Sequence, residues 1–312
     1  MPLPPLVELG QGRYLADLAF RGIDGLVGCY LLPHSEGWTA IETGPTTCRE
    51  RFLANLAAAG IDRAALRRVF VTHIHLDHAG GVGALQADLP KAEFFVHSIG
   101  LPHLVEPTRL AESARRAWGA QSDVLWGSLR PADPLRIHPL SGGERFDLLG
   151  GTLEVIATPG HARHHLAFLD TAIGGLMTGD SAGVRLVGAA TPRPALPPPD
   201  LDLEELFRSL EAMAEREPRR IFYTHFGESP DGPADLARYR ANVERWRDVA
   251  LAAARVEPTV ASIADALRRA EATGSQSPER DRPGERTDMI SSYDLAAQGL
   301  LRYFQRRGLL PR

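Results

Sequence analysis

Three histidines and one aspartate fall within six consecutive positions of this 312-residue chain: His73, His75, Asp77 and His78. They follow the largely apolar run 68–71, which predicts a short buried strand, and they precede a glycine-rich turn. We therefore predict a loop at the carboxyl end of a strand, where a rigid scaffold often presents functional side chains. Crowded imidazoles gain nothing structurally without an ion to share, so the pattern indicates a metal site.

The spacing inside this cluster suggests how its ligands divide. Alternate residues of an extended segment point to the same side, so His73 and His75 can bind one metal ion. Asp77 and His78 lie past the bend and can bind a second ion. Imidazole together with carboxylate suits zinc, iron or manganese.

The same placement of a metal-ligand residue recurs later in the chain. His161 follows an apolar run at 153–158, and Asp180 and His225 each end a further apolar run. Pro-Gly-His or Gly-Asp alone is weak evidence for a site. Their repeated position at strand ends is stronger evidence, because strand ends of one sheet can meet at a common edge.

The pattern His-x-His-x-Asp-His after a strand resembles the signature of the metallo-β-lactamase superfamily of hydrolases, and the later residues follow in that superfamily's order. The resemblance covers roughly residues 10–230. It implies an α+β fold, a four-layer αββα sandwich with metal ions at the rim where two sheets meet. It implies one ion held by His73, His75 and His161, a second held by Asp77, His78 and His225, and Asp180 as the bridge.

The resemblance also implies a chemistry. Two divalent metal ions, zinc expected first and iron or manganese as alternatives, share a hydroxide that attacks the substrate. Asp77 orients that hydroxide and is the predicted catalytic residue. The expected reaction is hydrolysis of a small thioester, lactone or other ester, as in hydroxyacylglutathione hydrolases (glyoxalase II) and N-acyl homoserine lactonases. An aspartate rather than a cysteine at position 180 speaks against antibiotic hydrolysis.

Other classes on this scaffold are open alternatives. Persulfide dioxygenases share the loop motif but use one iron held by two histidines and an aspartate, so metal content separates the two. A phosphodiesterase or nuclease would carry a basic groove, and a net charge of −4 with arginines that suit solvated helix faces does not predict one. A non-catalytic relative would be expected to have lost ligands, and none is missing here.

Several residues near the predicted site depart from the family pattern or fit it loosely. Glu42 stands where the family usually has the aspartate of Asp-Thr-Gly, and we expect it to act behind the ligands or structurally. His164 and His165 allow two interpretations. They support the ligands or bond the substrate at the mouth of the metal site, or strand alternation points one ring into the sandwich and the other to solvent, which we favour for at least one of them. Arg185 and Tyr223 are the candidates for substrate contact.

The remainder of the chain predicts the frame around the site. Residues 6–43 suit four short antiparallel strands, and 98–140 suit either a pocket wall or a surface insertion with its own small core. We expect a catalytic domain over 1–230 and a helical C-terminal region over 231–312 packed on it, with a last helix over 289–307. That region could complete a pocket, a core or a dimer interface.

The composition of the chain limits which partners and which cellular location we expect. The chain is 44% hydrophobic and 24% charged, as in ordinary globular proteins. No apolar stretch reaches the roughly 18 residues that span a bilayer, and the first residues do not resemble a leader peptide. We therefore expect a cytoplasmic protein with a small-molecule substrate, no nucleic acid, no membrane and a possible homodimer. Cys29 and Cys48 lack metal-type spacing and suit reduced core positions, with a disulfide as the alternative.

Overall fold

The structure is a computed structural model that describes residues 6–189, 191–274 and 283–310. Its first sheet has seven strands in chain order. They are β1 (Leu6–Gly10), β2 (Arg13–Asp17), β3 (Gly28–His34), β4 (Gly37–Ile41), β5 (Leu66–Phe70), β6 (Glu93–His97) and β7 (Ile137–Leu140). The first four strands pair antiparallel, as predicted, whereas β4 to β7 pair parallel. Parallel neighbours need long crossovers, so helices lie between these strands in the chain.

The second sheet has six strands and runs from β13 to β8 in reverse chain order. They are β8 (Arg145–Leu148), β9 (Gly151–Ala157), β10 (Leu166–Asp170), β11 (Gly175–Met177), β12 (Arg220–Tyr223) and β13 (Gly227–Ser229). Only β11 and β12 pair parallel among these neighbours. The crossover between them contains the helix that follows the proline-rich stretch after residue 190.

Eleven α-helices lie in the described ranges. They are α1 (Arg49–Ala58), α2 (Leu76–Ala79), α3 (Val82–Asp88), α4 (Leu101–Val105), α5 (Thr108–Trp118), α6 (Ser122–Trp126), α7 (Leu203–Ala214), α8 (Gly232–Val256), α9 (Val260–Gly274), α10 (Pro283–Ile290) and α11 (Tyr293–Arg307). The single last helix predicted over 289–307 is wrong. Ser292 is extended, and its side chain accepts from the backbone N–H of Leu295, so it caps a new helix instead of continuing the old one.

Aromatic side chains fill the space between the two sheets. The rings of Phe70 on β5 and Phe168 on β10 lie 5.5 Å apart, edge to face, and those of Tyr30 on β3 and Phe222 on β12 lie 5.4 Å apart. All four side chains are buried. Burying an aromatic of this size stabilises the fold by about 1.5–3 kcal/mol. This shared core sets the separation of the sheets at the edge where the predicted ligands lie.

A buried ion pair also joins the two sheets. The Nε of Arg13 on β2 donates to the Oδ2 of Asp170 on β10 at 2.7 Å, and neither side chain is exposed. The same guanidinium donates to the backbone carbonyls of Gln11 and Leu149, at 2.8 and 2.7 Å. The charge is therefore both paired and hydrogen-bonded, which a buried ion requires.

A second core lies on the outer face of the second sheet. It brings Leu176 of β11 and Ile221 of β12 together with Trp246 of α8, Leu267 of α9 and Leu300 of α11. The predicted α+β sandwich of two sheets with helices, including helices at the C-terminal end, is confirmed. Among the helices of the described ranges, none has both the length and the apolar character needed to cross a bilayer.

Candidate metal centre

All seven predicted ligands come together at one edge of the sandwich. Four lie in the turn between β5 and α3, and the other three follow β9, β11 and β12. The seven are His73, His75, Asp77, His78, His161, Asp180 and His225, and they form overlapping groups of three ligand atoms within 4.8 Å. The site thus joins one loop of the first sheet to three loops of the second.

The first group consists of His73, His75 and His161. The Nδ1 of His75 lies 2.9 Å from the Nε2 of His73 and 3.1 Å from the Nε2 of His161. Tetrahedral ligands about 2.0–2.1 Å from a zinc ion would lie roughly 3.3 Å from one another. The two distances from His75 are therefore close to the spacing that a common ion would need, and all three nitrogens lie within 4.8 Å of one another.

The second group consists of Asp77, His78 and His225. The two Nε2 atoms of His78 and His225 lie 3.1 Å apart. The Oδ2 of Asp77 lies 3.8 Å from the first of these nitrogens and 3.5 Å from the second. Two nitrogens and one carboxylate oxygen thus face one point beside the first group.

Asp180 lies between the groups with one oxygen towards each. Its Oδ2 is 3.5 Å from the Nε2 of His161, and its Oδ1 is 3.4 Å from the Nε2 of His78 and 3.5 Å from that of His225. The Oδ1 is buried and has no hydrogen-bond partner in the described residues. Burial raises the pKa of Asp180, but the imidazoles around it outweigh that effect and hold the pKa well below its usual value. A buried carboxylate without a donor is costly unless a cation is near.

Hydrogen bonds on the far side of the rings define which nitrogens face the site. The Nδ1 of His161 lies 2.9 Å from the carbonyl oxygen of Ala195, which can only accept, so this Nδ1 carries the proton. The Nδ1 of His73 lies 3.0 Å from the hydroxyl of Thr72, whose own proton goes to the carboxylate of Glu42 at 2.6 Å. In the neutral rings, both Nε2 atoms therefore aim lone pairs into the site.

The acid–base state of the first group also suits a metal. Burial first, and the neighbouring imidazoles second, lower the pKa of His73 well below its usual value and that of His75 to about 3. Burial likewise lowers the pKa of His161. All three rings are then neutral at pH 7, which is the form that binds a metal ion. The Nδ1 of His75 faces the lone pairs on the Nε2 atoms of His73 and His161. A proton on this Nδ1 could form a hydrogen bond with only one of them, whereas a metal ion can bind all three nitrogens.

The second group is oriented in the same way. The Nδ1 of His225 donates to the carbonyl of Leu26 at 2.7 Å, and the Nδ1 of His78 donates to Glu42 at 2.9 Å. Burial lowers the pKa of His78, but the surrounding carboxylates, first that of Glu42, raise it well above its usual value. The negative charge of these carboxylates favours a proton on His78. The same charge favours a metal ion, which would displace that proton when it binds.

Glu42 lies behind both groups, in the region where we expect it to act. Its Oε1 accepts from the hydroxyls of Thr72 and Thr224 and from the Nδ1 of His78, and its Oε2 accepts from the Thr72 N–H at 3.2 Å. Its φ of 75° is in the left-handed region that non-glycine residues seldom adopt. Four hydrogen bonds to one buried carboxylate hold this conformation.

The prediction for His164 and His165 is wrong, because neither side chain points to solvent. Both precede β10, so strand alternation does not apply to them. The Nε2 of His165 accepts from the backbone N–H of Asp180 at 3.1 Å, and its Nδ1 lies 2.8 Å from the hydroxyls of Thr158 and Ser181. His165 therefore holds the backbone of Asp180, the predicted bridge, which is a supporting role.

One of the two candidates for substrate contact is wrong. Tyr223 is fully buried, and its hydroxyl donates to the carboxylate of Asp235 at 3.1 Å, so it has a packing role. The backbone N–H of Arg185 donates to the carbonyl of His225 at 2.6 Å, and substrate contact by its partly exposed side chain stays a prediction. The carbonyls of Leu26 and Ala195, which orient two of the rings, were not predicted, because a backbone carbonyl leaves no mark in a sequence.

A cavity of about 560 Å³ lies beside the metal-ligand loop. Leu76 forms part of its wall, and the rest comes from residues 106–131 of the long excursion. The ring of Trp126 stacks 5.5 Å from that of Phe20, and both belong to the buried cluster that includes the first sheet. The excursion therefore packs on the main core, so the interpretation as a surface insertion with its own small core is wrong. A cavity of this volume is within the range of small-molecule sites.

A sequence model of the Metallo-beta-lactamase superfamily matches residues 22–225. A metallo-beta-lactamase fold-containing protein of Sulfurisphaera tokodaii is 33% identical over 162 residues, which span 51% of this chain and 60% of that relative. A hydroxyacylglutathione hydrolase of Xanthomonas axonopodis pv. citri is 33% identical over 126 residues, 40% of this chain and 36% of that enzyme. The chain thus spans less than two thirds of the length of these relatives.

The fold is also found in solved structures. The crystal structure of a metallo-beta-lactamase family protein from Thermus thermophilus superposes with a TM-score of 0.72 at 22% identity, covering 96% of this chain and 95% of that one. A beta-lactamase domain protein from Burkholderia ambifaria gives a TM-score of 0.66 at 19% identity, with 99% and 90% covered. At these identities the likeness is one of fold alone. The family match extends over most of the described sandwich, and the chain belongs to the metallo-β-lactamase superfamily.

Proposed function

We propose that this protein is a metal-dependent hydrolase that cleaves a small thioester, lactone or other ester. One observation carries the proposal: the neutral imidazoles of His73, His75 and His161 point ring nitrogens at one another, beside a second group of two imidazoles and one carboxylate. Relatives named hydroxyacylglutathione hydrolases support a thioester among the candidates. Two divalent ions, zinc in the first place, are the proposed cofactors, because imidazole and carboxylate together suit them.

The residues divide the work of holding these ions. His73, His75 and His161 would hold one ion, and Asp77, His78 and His225 the other, with one oxygen of Asp180 for each. When bound, such ions supply a water of lowered pKa and polarise a carbonyl oxygen. The two aspartates would offset part of the added positive charge, and the buried imidazoles would keep bulk water from the ligand atoms.

Asp77 is the proposed catalytic residue. Its side chain is 17% exposed against 9% for Asp180, so it faces the open side of the site. Burial raises its pKa, but His78 and His225 outweigh this and lower the pKa to about 2. Asp77 is therefore a carboxylate at neutral pH, and an oxygen of it can accept a hydrogen bond from the attacking water and orient it.

The cavity beside Leu76 is the proposed place for the part of the substrate that does not react. Three carboxylates border it, from Glu106, Glu112 and Asp123, against one guanidinium, from Arg115. The guanidinium lies 4.0 Å from Asp123, so part of its charge is already paired. This balance favours a neutral group over a carboxylate-bearing one by a small margin, because like charges repel but water screens these exposed side chains.

Metal analysis of the purified protein tests the proposal first. Inductively coupled plasma mass spectrometry should find close to two divalent ions per chain in the wild type and close to one in His225→Ala. His138→Ala is the matched control, since His138 is a partly exposed histidine paired with Glu93 away from the site. One iron per chain, unchanged in His225→Ala, would contradict the proposal and favour a persulfide dioxygenase-like enzyme.

A substrate panel then tests the chemistry. Thioesters, lactones and simple esters should be hydrolysed by the metal-loaded wild type, and Asp77→Asn should lose rate by 10²-fold or more, in line with roughly 10²–10⁴-fold effects of acid–base groups. Within one substrate class, neutral compounds should react faster than carboxylate-bearing analogues. Equal activity of the wild type and the metal-stripped protein would refute the assignment.

A further inference from the structure

The ring of His161 is held from behind by a stretch of chain that is remote in sequence. Its Nδ1 donates to the carbonyl of Ala195 at 2.9 Å, and His161 is buried. Ala195 belongs to residues 191–199, which we call the proline segment. A hydrogen bond of this kind fixes the tautomer and the orientation of a metal-binding imidazole. The position of the proline segment therefore decides where the Nε2 of His161 points.

The proline segment has few means of holding itself in place. Five of its nine residues are proline and lack a backbone N–H: Pro192, Pro194, Pro197, Pro198 and Pro199. Among the residues that the structure describes, its one strand-like contact is the isolated bridge between Val184 and Arg193. Proline-rich chain is stiff and extended, so a shift at one point of the segment is carried to its neighbours.

The C-terminal helices supply the missing contacts on both sides of Ala195. The side chain of Asn242 on α8 donates to the carbonyl of Pro192 at 2.9 Å. The hydroxyl of Ser291, between α10 and α11, donates to the carbonyl of Pro194 at 2.9 Å. The segment thus receives side-chain donors from two separate elements of the C-terminal region.

Arg193 is the strongest of these connections. Its guanidinium donates to the carboxylate of Asp288, to the carbonyl of Ser291 at 3.1 Å and to the hydroxyl of Tyr293 at 2.7 Å. It also lies 4.3 Å from the centre of the Tyr293 ring, a cation–π contact. The side chain is only 11% exposed, so these contacts are little screened by water.

Gly299 on α11 shows how closely the helix approaches the segment. A Cβ built at this glycine would lie 2.0 Å from the carbonyl oxygen of Leu196, the residue after Ala195. Only glycine leaves room for this contact between a helix backbone and the segment. The next contact along α11, from Arg306 to the carbonyl of Pro199, extends the same interface.

We propose that the C-terminal helices position His161 through the proline segment, with Arg193 and Ser291 as positioning residues. The inference rests on the proposed function, because it takes His161 as a metal ligand. It assigns the C-terminal region a part in the metal centre although none of the seven proposed ligands lies there. Loosening the segment should weaken metal binding at the group of His161 by about 10–100-fold and leave the group of His225 unchanged.

Zinc titration in competition with a chromophoric chelator measures this directly. Arg193→Gln and Ser291→Ala are compared with Arg307→Gln, a matched control on α11 whose guanidinium pairs with Asp202 and Glu204 instead of the segment. Each variant is also made in His225→Ala, where the titration reports the His161 group alone. Ser291→Thr keeps the hydroxyl and should restore wild-type affinity.

An NMR signal provides a second, independent readout. The Nδ1 proton of His161, bonded to a buried carbonyl, should give a downfield resonance that exchanges slowly. We expect it to shift or broaden in Arg193→Gln and Ser291→Ala and to stay unchanged in Arg307→Gln. A loss of thermal stability alone would not change this signal selectively.

The outcomes separate the two proposals. A wild type that binds no metal overturns the proposed function and the inference with it. A wild type that binds two ions, with both variants unchanged in affinity and in the NMR signal, overturns the inference alone. Equal weakening at both groups would show a general effect on stability and would also overturn it. Loss confined to the His161 group supports it.

Discussion

Replacing the carboxylate of Glu42 by an amide is the sharpest test of how the metal centre is supported. Glu42→Gln preserves size and removes the charge. Three donors converge on Oε1, so the amide oxygen should occupy that position and the amide NH₂ should face the N–H of Thr72. The variant therefore keeps most of the packing but weakens the hydrogen bond that orients His78. It also brings the amide NH₂ against the N–H of Thr72, so that two donors face each other.

The expected size of the effect follows from these contacts. Glu42 contacts one proposed ligand in each group, His78 directly at 2.9 Å and His73 through the hydroxyl of Thr72 at 2.6 Å. Loss of one such outer partner lowers metal affinity about 10–100-fold, which corresponds to about 1.4–2.7 kcal/mol. We expect this loss at both groups. The unpaired N–H should also cost the metal-free protein about 1–3 kcal/mol of folding stability.

The assay is zinc titration of metal-free wild type and Glu42→Gln, together with urea unfolding of both metal-free proteins. Glu93→Gln is the matched control, because Glu93 also pairs with a histidine, His138 at 2.6 Å, but at a partly exposed position. The control should bind zinc as the wild type does. Wild-type zinc affinity at both groups in Glu42→Gln would refute the reasoning that this carboxylate supports them.

Three further predictions concern other parts of the molecule. Asp170→Asn should lower the free energy of unfolding by about 3–5 kcal/mol in urea, because it leaves the buried charge of Arg13 unpaired, and a change below about 1 kcal/mol would contradict this. Gly179→Ala should lower zinc occupancy, since φ is +50° and the added Cβ would lie 2.6 Å from a threonine hydroxyl behind the site; wild-type occupancy would refute this. Burial raises the pKa of Cys48 to about 12 and that of Cys29 well above its usual value, so neither thiol should react with Ellman's reagent at pH 8 until the protein is unfolded, whereas prompt reaction of the native protein would be inconsistent with the burial of both.

The sequence predicted the sheets, and that the proposed ligands would meet at one edge, because the signals that mark them are local. The proposed ligands lie a few residues after apolar runs, and those runs are the strands β5, β9, β11 and β12. Histidine and aspartate at strand ends can be identified as potential metal ligands from the residue type alone.

Only the tertiary structure decided how these ligands are oriented. His225 depends on the carbonyl of Leu26, 199 positions away, and His161 on that of Ala195, 34 positions away. Every residue has a backbone carbonyl, so no sequence pattern indicates which carbonyl accepts a hydrogen bond from a given histidine. The buried positions of His164 and His165 were missed because they depend on a loop before β10 rather than on strand alternation. The sequence therefore determined which groups can bind a metal, and folding determined which nitrogen of each ring faces it, because hydrogen bonds from distant backbone atoms set that choice.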